Sequence, residues 1–144
     1  MLSCFLVEDS AVIRQNLTAA LEELLPLRVV ASDADASAAI ARLGDATLPC
    51  DLLIIDLFLR QGSGLDVLGA ARRQRPQARR VVLSNHATPD MRRRAAALGA
   101  DRVFDKSAEL DELLAYCAAL CAGTEAASDG GQDGTASAPP AAPA

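Results

Sequence analysis

Six residues carry groups that could handle a phosphate or a metal ion if the fold brought them together: Glu8, Asp9, Asp56, Ser84, Asn85 and Lys106. Each closely follows a short apolar run, at Cys4–Val7, Asp51–Ile55, Val81–Leu83 and Val103–Phe104. Two carboxylates about 4 Å apart repel by roughly 4 kcal/mol at an effective dielectric near 20. Three of them can share a cleft only if a cation neutralises them. A set of oxygen donors suits Mg²⁺, which keeps waters and takes one or two carboxylates together with phosphate oxygens. Lys106 adds a compact, mobile positive charge suited to a phosphoryl oxygen. It is the only lysine among 14 basic residues, the other 13 being Arg. An Arg-biased chain retains a lysine where a guanidinium does not fit.

Asp56 ends four consecutive apolar residues, Leu52–Ile55. An unpartnered carboxylate is costly to bury there, so a purely structural role does not account for it. Glu8 could be a solvated acid and Asp9 a helix cap. Ser84 alone would be an ordinary hydroxyl at a strand end, and the lone His86 an ordinary loop residue. Their company is what singles them out.

The elements that must position these residues alternate along the chain. The run Cys4–Val7 is followed by Ser10, which can cap a helix with apolar positions Val12, Ile13, Leu17, Ala20, Leu21 and Leu24, ending before Pro26. Leu27–Ala31 is the next run, leading blandly into Ser32, and Asp35–Leu43 is an Ala-rich helix closed by Gly44. Asp51–Ile55 is apolar on both faces, as a central parallel strand should be. A Gly62-Ser63-Gly64 loop precedes a helix over Leu65–Arg75, stopped by Pro76. Val81–Leu83 precedes a helix over Pro89–Leu98, and Val103–Phe104 precedes a last helix, with Ser107 as its expected cap. Five strand–helix units in series predict an α/β fold, a parallel sheet with helices on both faces. All strands of such a sheet emerge at one edge, where ligands bind, so the six residues become spatial neighbours.

Composition narrows the function from outside. The chain has 144 residues, 51% of them hydrophobic and 23% charged, enough for one folded domain. Aromatics make up 3%, and the net charge is −5. Both features disfavour nucleic-acid binding, which uses aromatic platforms and an excess of Lys and Arg. No apolar run approaches the roughly 20 residues of a bilayer span, and the start lacks the basic and apolar regions of a signal peptide. Cytoplasmic localisation is therefore expected. Cys4, Cys50, Cys117 and Cys121 lack the paired short spacings of a zinc site and read as small apolar side chains in a reducing compartment. Residues 123–144 contain no Val, Ile, Leu, Met or aromatic residue and read as a disordered Ala/Gly/Pro-rich acidic tail after a domain over 1–122.

An acidic pair after the first strand, Asp after the third, Ser after the fourth and Lys after the fifth resembles the receiver domain of bacterial two-component response regulators. The stretches Phe5-Leu-Val-Glu-Asp-Ser, Val81-Val-Leu-Ser-Asn-His-Ala and Gly99-Ala-Asp-Arg-Val-Phe-Asp-Lys-Ser resemble that family too. The likeness covers residues 1–122 and is nearest to stand-alone, chemotaxis-regulator-like members.

That resemblance implies a five-stranded parallel sheet of flavodoxin-like order 2-1-3-4-5. It implies that Asp56 is the phosphoacceptor, whose carboxylate attacks the phosphorus of a phosphohistidine to form an acyl phosphate. Asp9 would bind Mg²⁺ directly and Glu8 through water, with Asp56 and the Phe58 carbonyl as further ligands. Lys106 would pair with Asp56 and then with the phosphoryl group, and Ser84 Oγ and the Asn85 amide would hold phosphoryl oxygens. Phe58 and His86 would flank the site where dephosphorylation is tuned. The partners implied are a sensor histidine kinase or histidine phosphotransfer protein and a downstream protein target. Neither direct nucleic-acid nor membrane contact is expected, and the state is a monomer or a weak phosphorylation-dependent dimer.

Three features depart from the family pattern. Val103 stands where an aromatic residue usually swings in response to the hydroxyl residue, and strand alternation points Phe104 to the opposite face. Ser107 replaces the usual proline after the lysine, so no cis bond is expected there. Arg60-Gln61-Gly62-Ser63-Gly64 replaces a loop that often holds proline. With nothing foldable after residue 122, the expected output is protein contact or phosphate storage, in a signalling domain rather than an enzyme. The Arg-rich stretch over Arg72–Arg80 and Arg92–Arg94 reads as a solvated basic face. The rival reading, a Mg²⁺-dependent phosphohydrolase with Asp56 as covalent nucleophile, generally wants a second acid two residues later, where Phe58 stands. A phosphorylation-independent adaptor would not need the acceptor-site residues that are all present.

Overall fold

A computed structural model describes the backbone of residues 1–129 and side-chain surroundings through residue 123. The order is β1 (Leu2–Val7), α1 (Ala11–Leu24), β2 (Leu27–Asp33), α2 (Ala36–Leu43), β3 (Leu52–Asp56), α3 (Gly64–Gln74), β4 (Arg79–Ser84), α4 (Pro89–Ala97), β5 (Arg102–Asp105) and α5 (Leu110–Asp129). The strands form one sheet in the order β2-β1-β3-β4-β5, with every pairing parallel. This is the flavodoxin-like order that the resemblance implied, and the strand–helix alternation in the sequence accounts for its parallel pairing.

Strand alternation divides the core in two. Leu6, Ile54, Leu83 and Phe104 point to one face, where Leu17 and Leu21 of α1 and Leu113, Cys117 and Cys121 of α5 cover them. Phe5, Ile55, Leu53 and Val82 point to the other, covered by Ala39 and Leu43 of α2, Val67 and Leu68 of α3 and Ala95 of α4. β3 is buried along its whole length, as its unbroken apolar run requires.

Helix starts carry their sequence signals. Ser10 Oγ accepts from the Ile13 amide, Asp35 Oδ1 from Ala38 and Thr88 Oγ1 from Met91. Each satisfies one of the orphan amides of a first turn.

The structure corrects several expectations. Val12, Ile13 and Leu24 of α1 are exposed, and only Leu17 and Leu21 are buried. The apolar stripe of α1 is therefore wider than the strip that touches the sheet. β2 runs on to Asp33, whose carbonyl accepts from the Glu8 amide, so this strand also braces the rim. Ser107 does not cap α5. Its amide and hydroxyl both donate to Asp105 Oδ1, at 2.9 and 2.6 Å, which ties it into a turn before the helix starts at Leu110. α5 itself continues to Asp129, past residue 122, through Glu125, Ala126 and Ala127, which favour helix. The remainder of the expected tail lies outside the described residues.

The Arg-rich stretch is not a uniformly solvated face. Arg75 donates to the carbonyls of Leu43 and Leu48 at 3.1 and 2.7 Å and also to that of Asp45. Arg80 donates to Gly99 at 2.8 Å and Ala78 at 2.9 Å. These guanidiniums fasten loops at the end of the sheet opposite the acidic rim.

Candidate functional site

β1 delivers Glu8 and Asp9 to the rim, β3 ends in Asp56, and Lys106 follows β5. Pairing of β3 with both β1 and β4 places Ile55 beside Val7 and Asp56 beside Leu83. Each residue just past a strand end therefore faces the same space.

Carboxylate oxygens of Glu8, Asp9 and Asp56 all lie within 4.8 Å of one another. Lys106 Nζ sits between two of these acids, donating to Glu8 Oε1 at 2.6 Å and Asp56 Oδ2 at 3.0 Å. The other oxygen of Glu8 accepts from the Ser10 amide at 3.0 Å, and the other oxygen of Asp56 from the Phe58 amide at 3.1 Å. Glu8 is 1% exposed and Asp56 4%. The reading of Glu8 as a solvated acid is thus overturned: it is buried and paired.

Electrostatics follow from this crowding. Burial pushes the Glu8 carboxyl up from its usual range, only partly opposed by its hydrogen bonds to Lys106 and Ser10, and the nearby Asp56 charge pushes it further. Burial opposes the charge on Lys106 as well, but its bonds to Glu8 and Asp56 and their negative charge outweigh this and hold its pKa above the usual value. Asp9 also feels burial, yet a hydrogen bond shared with Glu8 and the amide and charge of Arg60 hold its carboxyl below the usual range. Three oxygen acids with a single ammonium between two of them form a donor set that fits a hard divalent cation.

Ser84 is buried at the end of β4. Its carbonyl accepts from the Lys106 amide at 2.8 Å, which binds the ends of β4 and β5 together. Its hydroxyl accepts from the His86 amide at 3.2 Å and makes no described hydrogen bond to Asp56 or Lys106. Asn85 and His86 are exposed beside it. Phe58, two residues after Asp56, is 56% exposed, with its backbone bridged to Ser63. Asn85 and Lys106 also line a cavity of about 380 Å³ between α1 and α5, together with Ile13, Leu17, Leu110 and Leu114.

Three supporting residues escaped sequence reasoning. Gly64 lies so close to the acceptor strand that a Cβ would stand 2.3 Å from the Asp56 carbonyl oxygen and 2.7 Å from Leu57 Cα. The Gly-Ser-Gly triplet signals a loop without revealing that close approach. Arg60 donates its amide to Asp9 Oδ2 at 3.1 Å, and its Nε lies 3.5 Å from the same oxygen. Arg92 of α4 donates to the carbonyls of Ala87 and Val103 at 3.0 and 2.9 Å and to Glu109 Oε1 at 2.7 Å. It joins the loop after Ser84, β5 and the start of α5. Val103 is half-buried on the α2–α4 face and Phe104 is buried on the other, against Tyr116, as alternation predicts. No sequence signal distinguishes Arg92 from its neighbours Arg93 and Arg94.

An acidic rim with one shared lysine on a parallel sheet of order 2-1-3-4-5 is the arrangement that the sequence resemblance implied, and comparison with known proteins identifies the family. The family model for the response regulator receiver domain matches residues 4–118. The chain belongs to that family, the receiver domains of two-component systems. It is 33% identical over 113 residues to the acid tolerance regulatory protein ActR of Rhizobium meliloti (strain 1021), covering 78% of this chain and 56% of that protein. The chain thus spans little more than half the length of the curated relatives it matches.

Among solved structures, a two-component response regulator of the LuxR family from Aurantimonas sp. SI85-9A1 superposes with a TM-score of 0.74 at 29% identity, over 84% of this chain and 85% of that one. A CheY-like receiver domain protein from Methanospirillum hungatei JF-1 shares the fold, with a TM-score of 0.72 at 20% identity over 88% of this chain and 98% of that one. So does a response regulator from Burkholderia pseudomallei, solved with a phosphorylated aspartic acid, calcium ion and citrate, at 0.69 and 22% over 89% of this chain and 73% of that one.

Proposed function

We propose that this domain accepts a phosphoryl group from a phosphohistidine onto Asp56 in a Mg²⁺-dependent reaction, and that the resulting acyl phosphate alters its contacts with a downstream protein or serves as a phosphate sink. The observation that carries the reading is Lys106 Nζ lying between Glu8 and Asp56 at the rim.

The carboxylate of Asp56 attacks phosphorus, the P–N bond breaks, and the donor imidazole keeps the electron pair. Phe58 N–H and Lys106 each hold one oxygen of Asp56 and so fix the direction of attack, which is most of what phosphoryl transfer asks of a protein. Glu8, Asp9, Asp56 and the Phe58 carbonyl would hold Mg²⁺, which supplies charge neutralisation for the phosphoryl oxygens. Lys106 then turns from the consumed carboxylate to the new phosphoryl group. Ser84 Oγ and the Asn85 amide bind phosphoryl oxygens once the hydroxyl leaves the His86 amide.

A histidine kinase or histidine phosphotransfer protein is the donor, and the largely apolar cavity between α1 and α5 beside Lys106 gives it somewhere to dock. Among the described residues no helix is long and apolar enough to cross a membrane, and action in the cytoplasm, by protein contact rather than nucleic-acid binding, completes the reading. The role is that of a signalling acceptor, not a turnover enzyme.

The test is incubation with Mg²⁺ and acetyl phosphate followed by intact mass. One added phosphoryl group is expected, lost in Asp56→Asn and on chelation of the metal. Labelling that persists in Asp56→Asn overturns the assignment, and multiple turnovers of small phosphate esters would favour a hydrolase.

A further inference from the structure

Lys106 serves only two of the three acids at the rim. Its ammonium bonds Glu8 and Asp56, and among the described residues the ion-pair partner of Asp9 is Arg60. The two contacts from Arg60 differ in kind. The amide is fixed, because the loop that carries it is anchored on both sides of Arg60: Gln61 accepts from the Ala36 amide at 3.0 Å, and Phe58 bridges to Ser63. The guanidinium is not fixed. Its side chain is 81% exposed, and Nε stands 3.5 Å from the carboxylate oxygen that the amide already holds. That carboxylate belongs to the cluster of Glu8, Asp9 and Asp56, each of which offers an oxygen within 4.8 Å of the others.

We propose that Arg60 is a tethered competitor for the divalent ion: its guanidinium neutralises Asp9 while the ion is absent and is displaced when the ion binds. The inference rests on the reading of this rim as a Mg²⁺ site. A doubly charged ion on Asp9 repels a guanidinium on the same carboxylate, so the two occupants exclude each other while the amide bond from Arg60 persists. A pair with so exposed a guanidinium at 3.5 Å is weak, so the competition lowers the affinity for metal modestly instead of blocking it. Because the guanidinium lies in solvent, salt weakens its hold on Asp9.

The experiment is a MgCl₂ titration of the full chain followed by ¹H–¹⁵N NMR, with no phosphodonor present. At low ionic strength Arg60→Ala should bind Mg²⁺ about 2- to 5-fold more tightly than wild type. Arg60→Lys, which keeps the charge, should stay near wild type, and the gap should close as salt rises. Arg93→Ala, which removes a charge elsewhere on the surface, should leave the dissociation constant unchanged. Saturable binding with equal or weaker affinity in Arg60→Ala overturns the role of Arg60 alone. Absence of any saturable shift in wild type overturns the metal site, and this proposal with it.

Discussion

Glu8 and Lys106, separated by 98 positions in the chain, meet at 2.6 Å beneath the rim of the sheet, and the same ammonium reaches Asp56 at 3.0 Å. The Lys106 side chain is 12% exposed and that of Glu8 1%. Removing one partner of so buried a group leaves uncompensated charge behind, which costs on the order of 3–5 kcal/mol. Lys106→Met should therefore lower the urea midpoint of unfolding with little change in slope, and Lys106→Arg should not restore it, because a planar fork does not replace a compact charge between two carboxylates. A midpoint unchanged in Lys106→Met would show that the acids do not depend on it.

Gly64→Ala tests the support beneath the acceptor. The added Cβ meets the Asp56 carbonyl oxygen at 2.3 Å, a backbone atom that cannot swing aside. We expect a loss of roughly 1–3 kcal/mol, the usual scale of overpacking, together with slower labelling of Asp56. The expectation fails if the variant melts and labels like wild type.

Acid sensitivity should be visible at the start of α5. The hydrogen bond from Arg92, joined by the Asp105 amide, holds the Glu109 carboxyl below its ordinary range. Its folded pKa lies below its unfolded one, so its contribution to stability is present above the unfolded value near 4.3 and is lost as pH falls through the folded value. Glu109→Gln should flatten that part of the stability–pH curve and leave neutral pH comparatively unaffected. Equal acid slopes in the two proteins would refute the assignment.

Burial raises all the thiols whose pKa is displaced. It pushes Cys4 well up, Cys50 to about 11 and Cys117 to about 12. With so little thiolate at pH 8, a disulfide reagent should react slowly with half-buried Cys50 and far more slowly with Cys4 and Cys117, until the chain is unfolded. Fast modification of Cys117 in the native protein would contradict this packing.

How legible was this site? Asp56, Ser84 and Lys106 stand at strand ends, and hydrophobic runs mark strand ends well, so convergence at one edge follows from topology alone. The two-faced core follows equally directly, since Phe5 and Leu6 alternate and so do Val103 and Phe104. What the sequence concealed depends on side chains reaching across space. Arg60 and Arg92 are two of 13 arginines, and nothing local separates the one that meets Asp9 or the one that joins three segments from those left in solvent. Ser107 misled for a different reason. A serine ahead of an amphipathic run signals a cap, but Asp105 competes for its hydroxyl and amide and wins. The exposed Val12 and Ile13 show the same limit: periodicity identifies an apolar stripe but not how much of it a neighbour covers.

The last strand completes the rim. Until β5 docks beside β4, with the Lys106 amide on the Ser84 carbonyl, Glu8 and Asp56 have no ammonium between them. A nascent chain can place its first four strands in order and still lack the cation its acids require. The charge balance of this rim thus waits for the fifth strand, and a polypeptide cut before residue 106 would hold these acids without the ammonium between them.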